Sequence, residues 1–170
     1  MAHIALIGLP GSGKSTLGPL LGEALQAPFL DVDKVLEQSS GSTPRQWVED
    51  LDWETFRSAE SVVLASLHRN LEMSESLVLG CGGGIVEAAE NRLILEKWQC
   101  VWLDAADEIL VDRTCDSDRP DHPGISPRDV PRVLRAQREK WYRQLGGEAV
   151  DTSNLNPEEV LAIIMKRWGI

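Results

Sequence analysis

An α/β fold, with a mostly parallel sheet covered by helices on both faces, is expected from three observations. Five short apolar runs alternate with stretches of helical periodicity along the 170 residues. The first junction, Gly8-Leu-Pro-Gly-Ser-Gly-Lys-Ser-Thr16, fits the phosphate-loop pattern G-x-x-x-x-G-K-[ST] at Gly8, Gly13, Lys14 and Ser15. No repeat, low-complexity tract or linker divides the chain, so its length points to one domain over residues 1–170.

Taken in order, His3–Ile7 is an apolar run expected as the first, buried strand, and Lys14–Gln26 follows the loop with helical spacing. Phe29–Asp31 is the second strand candidate, followed by helical stretches at Asp33–Gln38, Pro44–Glu49 and Trp53–Arg69. Leu77–Leu79, Cys100–Leu103 and Ala149–Val150 are the remaining strands, separated by helices near Ala89–Lys97, Ala106–Cys115 and Pro127–Leu145 and followed by Pro157–Trp168. Ser126-Pro127-Arg-Asp129 and Asn156-Pro157-Glu-Glu159 each place a capping residue before a proline at the first helical position, with an acid at the third. The polar stretch Asp116–Gly124, rich in proline, reads equally as a mobile lid over a nucleotide or as an ordinary solvated loop.

Seventeen basic against twenty-seven acidic residues give a net charge of −10, which disfavours nucleic acid as a partner. The odd count of three cysteines, without paired spacing, suggests reduced thiols and a cytoplasmic setting. No apolar stretch reaches membrane-spanning length, and the glycines and Lys14 argue against a signal peptide at the start.

Glycines let the loop wrap a phosphate with inward N–H groups, while the helix N-terminus adds positive potential. Lys14 can then reach the β- and γ-phosphates and the Ser15 hydroxyl can ligate Mg²⁺, so ATP or a similar triphosphate is the expected ligand. Asp31 and Asp33 are two residues apart at the end of the second strand, where side chains i and i+2 share a face. They read either as a metal and substrate-hydroxyl pair or as caps of the next helix. Arg57 and Glu60, one helical turn apart, are either an exposed ion pair or a guanidinium aimed at a substrate carboxylate. Three consecutive glycines, Gly82-Gly83-Gly84, imply that something approaches the backbone closely. Arg135, Arg138 and Tyr142 fall on one side of a helix, a pattern shared by solvated faces and binding sites.

In this order and spacing, these pieces and Arg119-Pro120 resemble the shikimate kinase family of nucleoside monophosphate kinase-like P-loop proteins. Cys81-Gly-Gly-Gly-Ile-Val-Glu87, Trp53-Glu-Thr-Phe-Arg-Ser-Ala-Glu60 and Trp141-Tyr142 are closest in flavour to the kinase domain of the AROM polypeptide. The resemblance implies a three-layer α/β/α P-loop kinase fold with a five-stranded parallel sheet in the order 2-3-1-4-5. It implies an acceptor-binding segment at about 33–60 and a lid at about 113–125. The activity implied is transfer of the ATP γ-phosphate to the 3-hydroxyl of shikimate, in aromatic amino acid biosynthesis, by a cytoplasmic monomer. Gly11, Ser12, Gly13, Lys14, Ser15 and Thr16 would hold the phosphates, with Arg113 against the adenine and Pro157 on its far side. Ser15 would ligate Mg²⁺ with Asp31 behind it through water, and Asp33 would bind the reacting hydroxyl and take its proton. Arg57, Arg138 and Gly82–Gly84 would clamp the ring carboxylate and hydroxyls, and Arg119 would close over the transferring group.

Two stretches depart from the family's pattern. Asp52-Trp53 stands where Gly-Glu is usual, and Arg119-Pro-Asp-His-Pro123 replaces Arg-Pro-Leu-Leu, leaving open looser closure, weaker nucleotide affinity or different lid packing. Other acceptors, gluconate or a nucleoside monophosphate, fit less well. No histidine follows the Asp pair closely, and the lid is short and carries few arginines. A silent shikimate sensor would have lost Lys14, Asp31, Asp33 or a clamp arginine, and none is lost. Most of the six tryptophans are expected as core or helix-packing anchors, with Trp47 and Trp53 near the acceptor. His122 is expected to be solvent-exposed.

Overall fold

The computed structural model describes residues 2–71 and 76–169. Along the chain run β1 (His3–Ile7), α1 (Lys14–Leu25), β2 (Phe29–Asp31), α2 (Val32–Ser40), α3 (Pro44–Asp50) and α4 (Trp53–Asn70). They are followed by β3 (Leu77–Gly80), α5 (Ala89–Leu95), β4 (Gln99–Asp104), α6 (Asp107–Thr114), α7 (Val130–Gly146), β5 (Val150–Asp151) and α8 (Pro157–Trp168). The sheet order is β2-β3-β1-β4-β5, with every pairing parallel. Each parallel neighbour is reached through a helical crossover, so both faces of the sheet are covered, as the alternating pattern requires.

The pleat of β1 sorts the core into two clusters. Ala5 and Ile7 join Leu64, Leu79, Trp98, Trp102, Leu110, Leu134 and Tyr142 on one face, covered by α4, α5, α6 and α7. Ile4 and Leu6 join Leu17, Leu21, Val101, Leu103, Val160 and Ile164 on the other, covered by α1 and α8. The β1 register, Ala5 opposite Leu79 and Cys100, lets three consecutive strands bury their apolar side chains on both faces. The carboxyl ends of β1, β2 and β3 therefore finish together, beneath the phosphate loop, Asp31 and the glycine turn.

Several boundaries differ from expectation by a residue or two, and two of the differences have a clear cause. Ser126-Pro127 does not open α7. The Asp129 and Val130 N–H groups both donate to the Ser126 carbonyl in a tight turn, and the helix starts at Val130 with Pro131 in its first turn. The Ala89–Lys97 helix stops at Leu95, where shorter-range bonds from Lys97 to Ile94 and from Trp98 to Leu95 tighten the last turn. At Asn156-Pro157 the expected capping box is complete, with Asn156 and Glu159 exchanging side-chain to backbone bonds. Trp98 and Trp102 are buried, while Trp141 and Trp168 pack against the two core clusters.

Candidate active site

The phosphate loop turns through glycines with positive φ: Gly8 (144°), Gly11 (82°) and Gly13 (103°). At Gly8 a side chain is also sterically barred, because a Cβ would lie 2.1 Å from the Leu103 carbonyl. Lys14, at the first turn of α1, is buried and donates to the Gly8 and Leu9 carbonyls (2.8 Å each) and to the Ser12 hydroxyl. Burial, with Arg119 adding to it, pushes the Lys14 pKa down to about 7. A groove of about 450 Å³ runs along Gly11, Gly13, Lys14, Ser15 and Thr16. Arg113, Arg119, Thr152, Leu155 and Pro157 close it. Arg113 is braced by bonds to the Gly11 carbonyl and to Thr152, whose hydroxyl in turn donates to the Ser12 carbonyl.

The carboxylate pair divides its work. Asp31 Oδ1 accepts from the Asp33 and Lys34 N–H groups and caps α2, while Oδ2 accepts from the Ser15 hydroxyl at 3.1 Å. The capping reading of Asp31 therefore holds for Oδ1, and Oδ2 is left facing the Ser15 hydroxyl. Asp33 is not on the strand. The chain turns at Val32, and Asp33 sits in the first turn of α2, where helical geometry rather than the i, i+2 rule aims it inward. Among the described residues no N–H or hydroxyl donor reaches its buried Oδ1, which lies beside the Glu60 carboxyl, and burial together with the Asp31 charge raises its pKa.

A second cavity, of about 260 Å³, is lined by Asp33, Phe56, Arg57, Glu60, Arg138 and the three glycines, and by Arg119, Pro120 and His122 from the lid segment. The glycines are explained one by one. A Cβ on Gly82 would fall 2.2 Å from Glu60 Oε1, one on Gly84 2.1 Å from Arg57 Cζ, and one on Gly83 3.0 Å from Pro10 Cδ and 3.3 Å from Arg138 Nη1. Glu60 is fully buried in α4. It pairs with Arg57 through Oε2, and burial lifts its pKa to about 7 against the pull of Arg57, with the neighbouring Asp33 carboxyl adding to the rise. Tyr142 donates to the Gly83 carbonyl and so ties α7 to the turn.

Helical spacing proved a poor guide on α7. Arg138 reaches the pocket, but Arg135, three residues earlier, is drawn away to Asp104, Asp107 and the Ala105 carbonyl. Ser12 is buried behind the loop, does not line the groove, and spends its N–H on the Leu9 carbonyl. Trp53 lines this second cavity and Trp47 does not; the Trp47 indole donates to the Ser40 hydroxyl. His122 is not solvent-exposed but half-buried, stacked on Trp53 with ring centroids 4.8 Å apart. The two departures from the family's pattern thus meet in space.

Glu87 received no role from the sequence, although it ends the Cys81–Glu87 motif. Its carboxylate pairs with Arg138 Nε at 2.7 Å and with Arg57 Nε at 3.8 Å. Nothing local to Glu87 signals this, because both partners are distant in sequence.

A shikimate kinase family model matches residues 10–168. The chain is 31% identical over 170 residues to a shikimate kinase of Enterococcus faecalis, covering 98% of each protein. To a shikimate kinase of Symbiobacterium thermophilum it is 35% identical over 169 residues, covering 97% of this chain and 95% of that one. Among solved structures, the shikimate kinase from Acinetobacter baumannii in complex with shikimate superimposes with a TM-score of 0.90 at 29% identity. That match covers 99% of this chain and 93% of the other.

Proposed function

The chain belongs to the shikimate kinase family, and from that premise we infer that it transfers the γ-phosphoryl group of ATP to the 3-hydroxyl of shikimate. One observation carries the reading at the level of the site: Arg119 lines both cavities, the groove along the phosphate loop and the pocket of Asp33, Arg57 and Arg138. A kinase needs that arrangement, with donor and acceptor in separate compartments and a cation where they meet.

In this reading the backbone of Gly11, Gly13 and Thr16 and the Lys14 ammonium cradle the phosphates, with the adenine between Arg113 and Pro157. Contact with phosphate restores the Lys14 charge that burial disfavours in the free protein. Ser15 Oγ and Asp31 Oδ2, 3.1 Å apart, are hard oxygen donors that fit Mg²⁺, which bound there would neutralise charge on the β- and γ-phosphates. Arg57 and Arg138 hold the acceptor carboxylate, with Glu60 and Glu87 orienting their guanidiniums. The open lone pairs of Asp33 accept the hydrogen bond of the reacting hydroxyl, and its raised pKa suits it to take the proton as the new P–O bond forms. Arg119 stabilises charge on the group in flight. Positioning and charge stabilisation supply most of what such a transfer requires.

The acceptor-binding segment is then about 33–60 and the lid about 113–125, and the protein works in the cytoplasm as a monomer. The three cysteines, all free thiols, agree with a reducing compartment. The test is coupled ADP release from MgATP with shikimate, gluconate and CMP beside a no-acceptor control. Turnover with shikimate alone is expected; equal turnover with gluconate or CMP would falsify the assignment.

A further inference from the structure

Arg119 is the pivotal cation of the proposed chemistry, yet among the described residues no hydrogen bond holds its own side chain. What holds it there is its backbone, through one residue outside the lid. Arg45, in the first turn of α3, sends Nη2 to the Arg119 carbonyl at 2.6 Å and Nε to Asp118 at 2.8 Å, and places Nη1 3.7 Å from Asp121. One planar fork thus grips the residue before Arg119 and Arg119 itself, while Nη1, hydrogen-bonded to Glu49 of the same helix at 3.3 Å, adds only the nearby charge of Asp121. Only arginine has donors diverging in this geometry; an ammonium could not address Asp118, the Arg119 carbonyl and Glu49 together.

A second contact fixes the same stretch to the same side of the molecule. His122 stacks on Trp53 at the start of α4, with an interplanar angle of 20°. The guanidinium of Arg57 lies 5.0 Å from the centroid of that indole. Residues 118–122 are therefore tied to α3 and α4, the helices of the acceptor segment.

We propose that Arg45 is a positioning residue for phosphoryl transfer: it holds the lid backbone around Arg119, so that the acceptor segment sets where that guanidinium stands between the two cavities. This rests on the kinase reading above and deepens it. It makes the lid an extension of the acceptor side, with His122 and Trp53 as its second anchor. The apolar pair usual at this point of the lid is replaced here by one polar grip and one aromatic stack.

The role predicts a particular kinetic signature. Arg45 is half-exposed and touches neither cavity with a polar atom of its own reaction chemistry, so a loss should appear in kcat and leave acceptor binding alone. With the full-length protein, MgATP and shikimate, Arg45→Ala is expected to lower kcat about tenfold while the shikimate KM stays within about twofold. Arg45→Lys, which keeps the charge but not the fork, should fall nearly as far. Ion pairs open to solvent are screened, so about 0.5 M salt should bring wild-type kcat toward that of Arg45→Ala and leave the variant flat. Hydrogen exchange of residues 117–122 without any acceptor should be faster in Arg45→Ala, and this holds whatever the acceptor proves to be. It therefore separates failure of the proposal from failure of the shikimate assignment. Unchanged kcat with unchanged exchange overturns the proposal. So does a loss carried wholly by the shikimate KM, which would make Arg45 an acceptor contact.

Discussion

The nucleotide groove takes half its wall from one short stretch, Gly11 and Gly13–Leu17, with Arg113, Arg119, Thr152, Leu155 and the start of α8 closing it. The acceptor pocket takes its polar groups from five places: Asp33 on α2, Arg57 and Glu60 on α4, the Gly82–Gly84 turn, Arg119 and His122 on the lid, and Arg138 on α7. The first presents backbone N–H groups and one buried ammonium; the second presents paired, buried side-chain charges. A phosphate can be gripped by any loop of the right shape, because backbone donors carry no side-chain identity. A small acid with several hydroxyls needs a fork here and a lone pair there, and only residues from separate elements converge so tightly.

Asp33→Asn should separate the halves most cleanly. It leaves every phosphate-loop contact in place and removes the one carboxylate aimed at the reacting hydroxyl. We expect turnover to fall about a thousandfold, within the range for general-base loss, with ATP affinity nearly unchanged. Titration calorimetry with ATP beside the coupled assay reads both at once. A parallel loss of ATP binding would mean that the two halves share Asp33.

Arg138→Ala against Arg135→Ala sharpens the contrast within one helix. Losing Arg138 leaves a buried clamp without its guanidinium, and the shikimate KM should rise about a hundredfold. Losing Arg135 breaks pairs with Asp104 and Asp107 at the edge of the sheet. Because Arg135 is a quarter exposed, we expect a stability cost of only about 1–2 kcal/mol and an unchanged KM. A KM effect from Arg135→Ala would restore it to the binding face.

These two arginines also show what a sequence can tell. The phosphate loop, the parallel sheet and the capping box at Asn156 were legible because each is a local rule: a spacing, a hydrophobic period, a cap; the strand order came only through the family resemblance. Gly82–Gly84 implied a close approach, and the residues that approach are Glu60, Pro10 with Arg138, and Arg57. Arg135 and Arg138 share a periodicity, and it is the distant Asp104 and Glu87 that send them in different directions. His122 looked like a loop histidine because its partner, Trp53, lies on another element. Long-range pairing of this kind leaves no trace in spacing.

Glu60 allows a smaller test, in stability. Its pKa is raised from the usual 4.5 to about 7 by burial, so the native state holds a proton there that the unfolded chain releases. The stability contributed is complete below pH 4.5 and is lost as pH rises through 7. Glu60→Gln should remove that slope, and the difference in Tm between wild type and variant should shift steadily across the window. A difference independent of pH would show that Glu60 keeps its charge through pairing with Arg57.

The smallest expected signal is optical, and it asks which side of the pocket the lid answers to. Of the six tryptophans, Trp53 alone lines the acceptor cavity. Its ring lies against His122 and near the Arg57 guanidinium, so a carboxylate arriving at Arg57 changes its surroundings directly. Trp47 is hydrogen-bonded to Ser40 and lies off the cavity. Shikimate should therefore change the intrinsic fluorescence of wild type and Trp47→Phe alike, and leave Trp53→Phe silent. ATP alone, bound along the phosphate loop, should move that signal little if the lid is anchored to the acceptor helices. A large response to ATP in the absence of shikimate would place control of the lid on the nucleotide side, and the division between the two halves would have to be redrawn at Arg119.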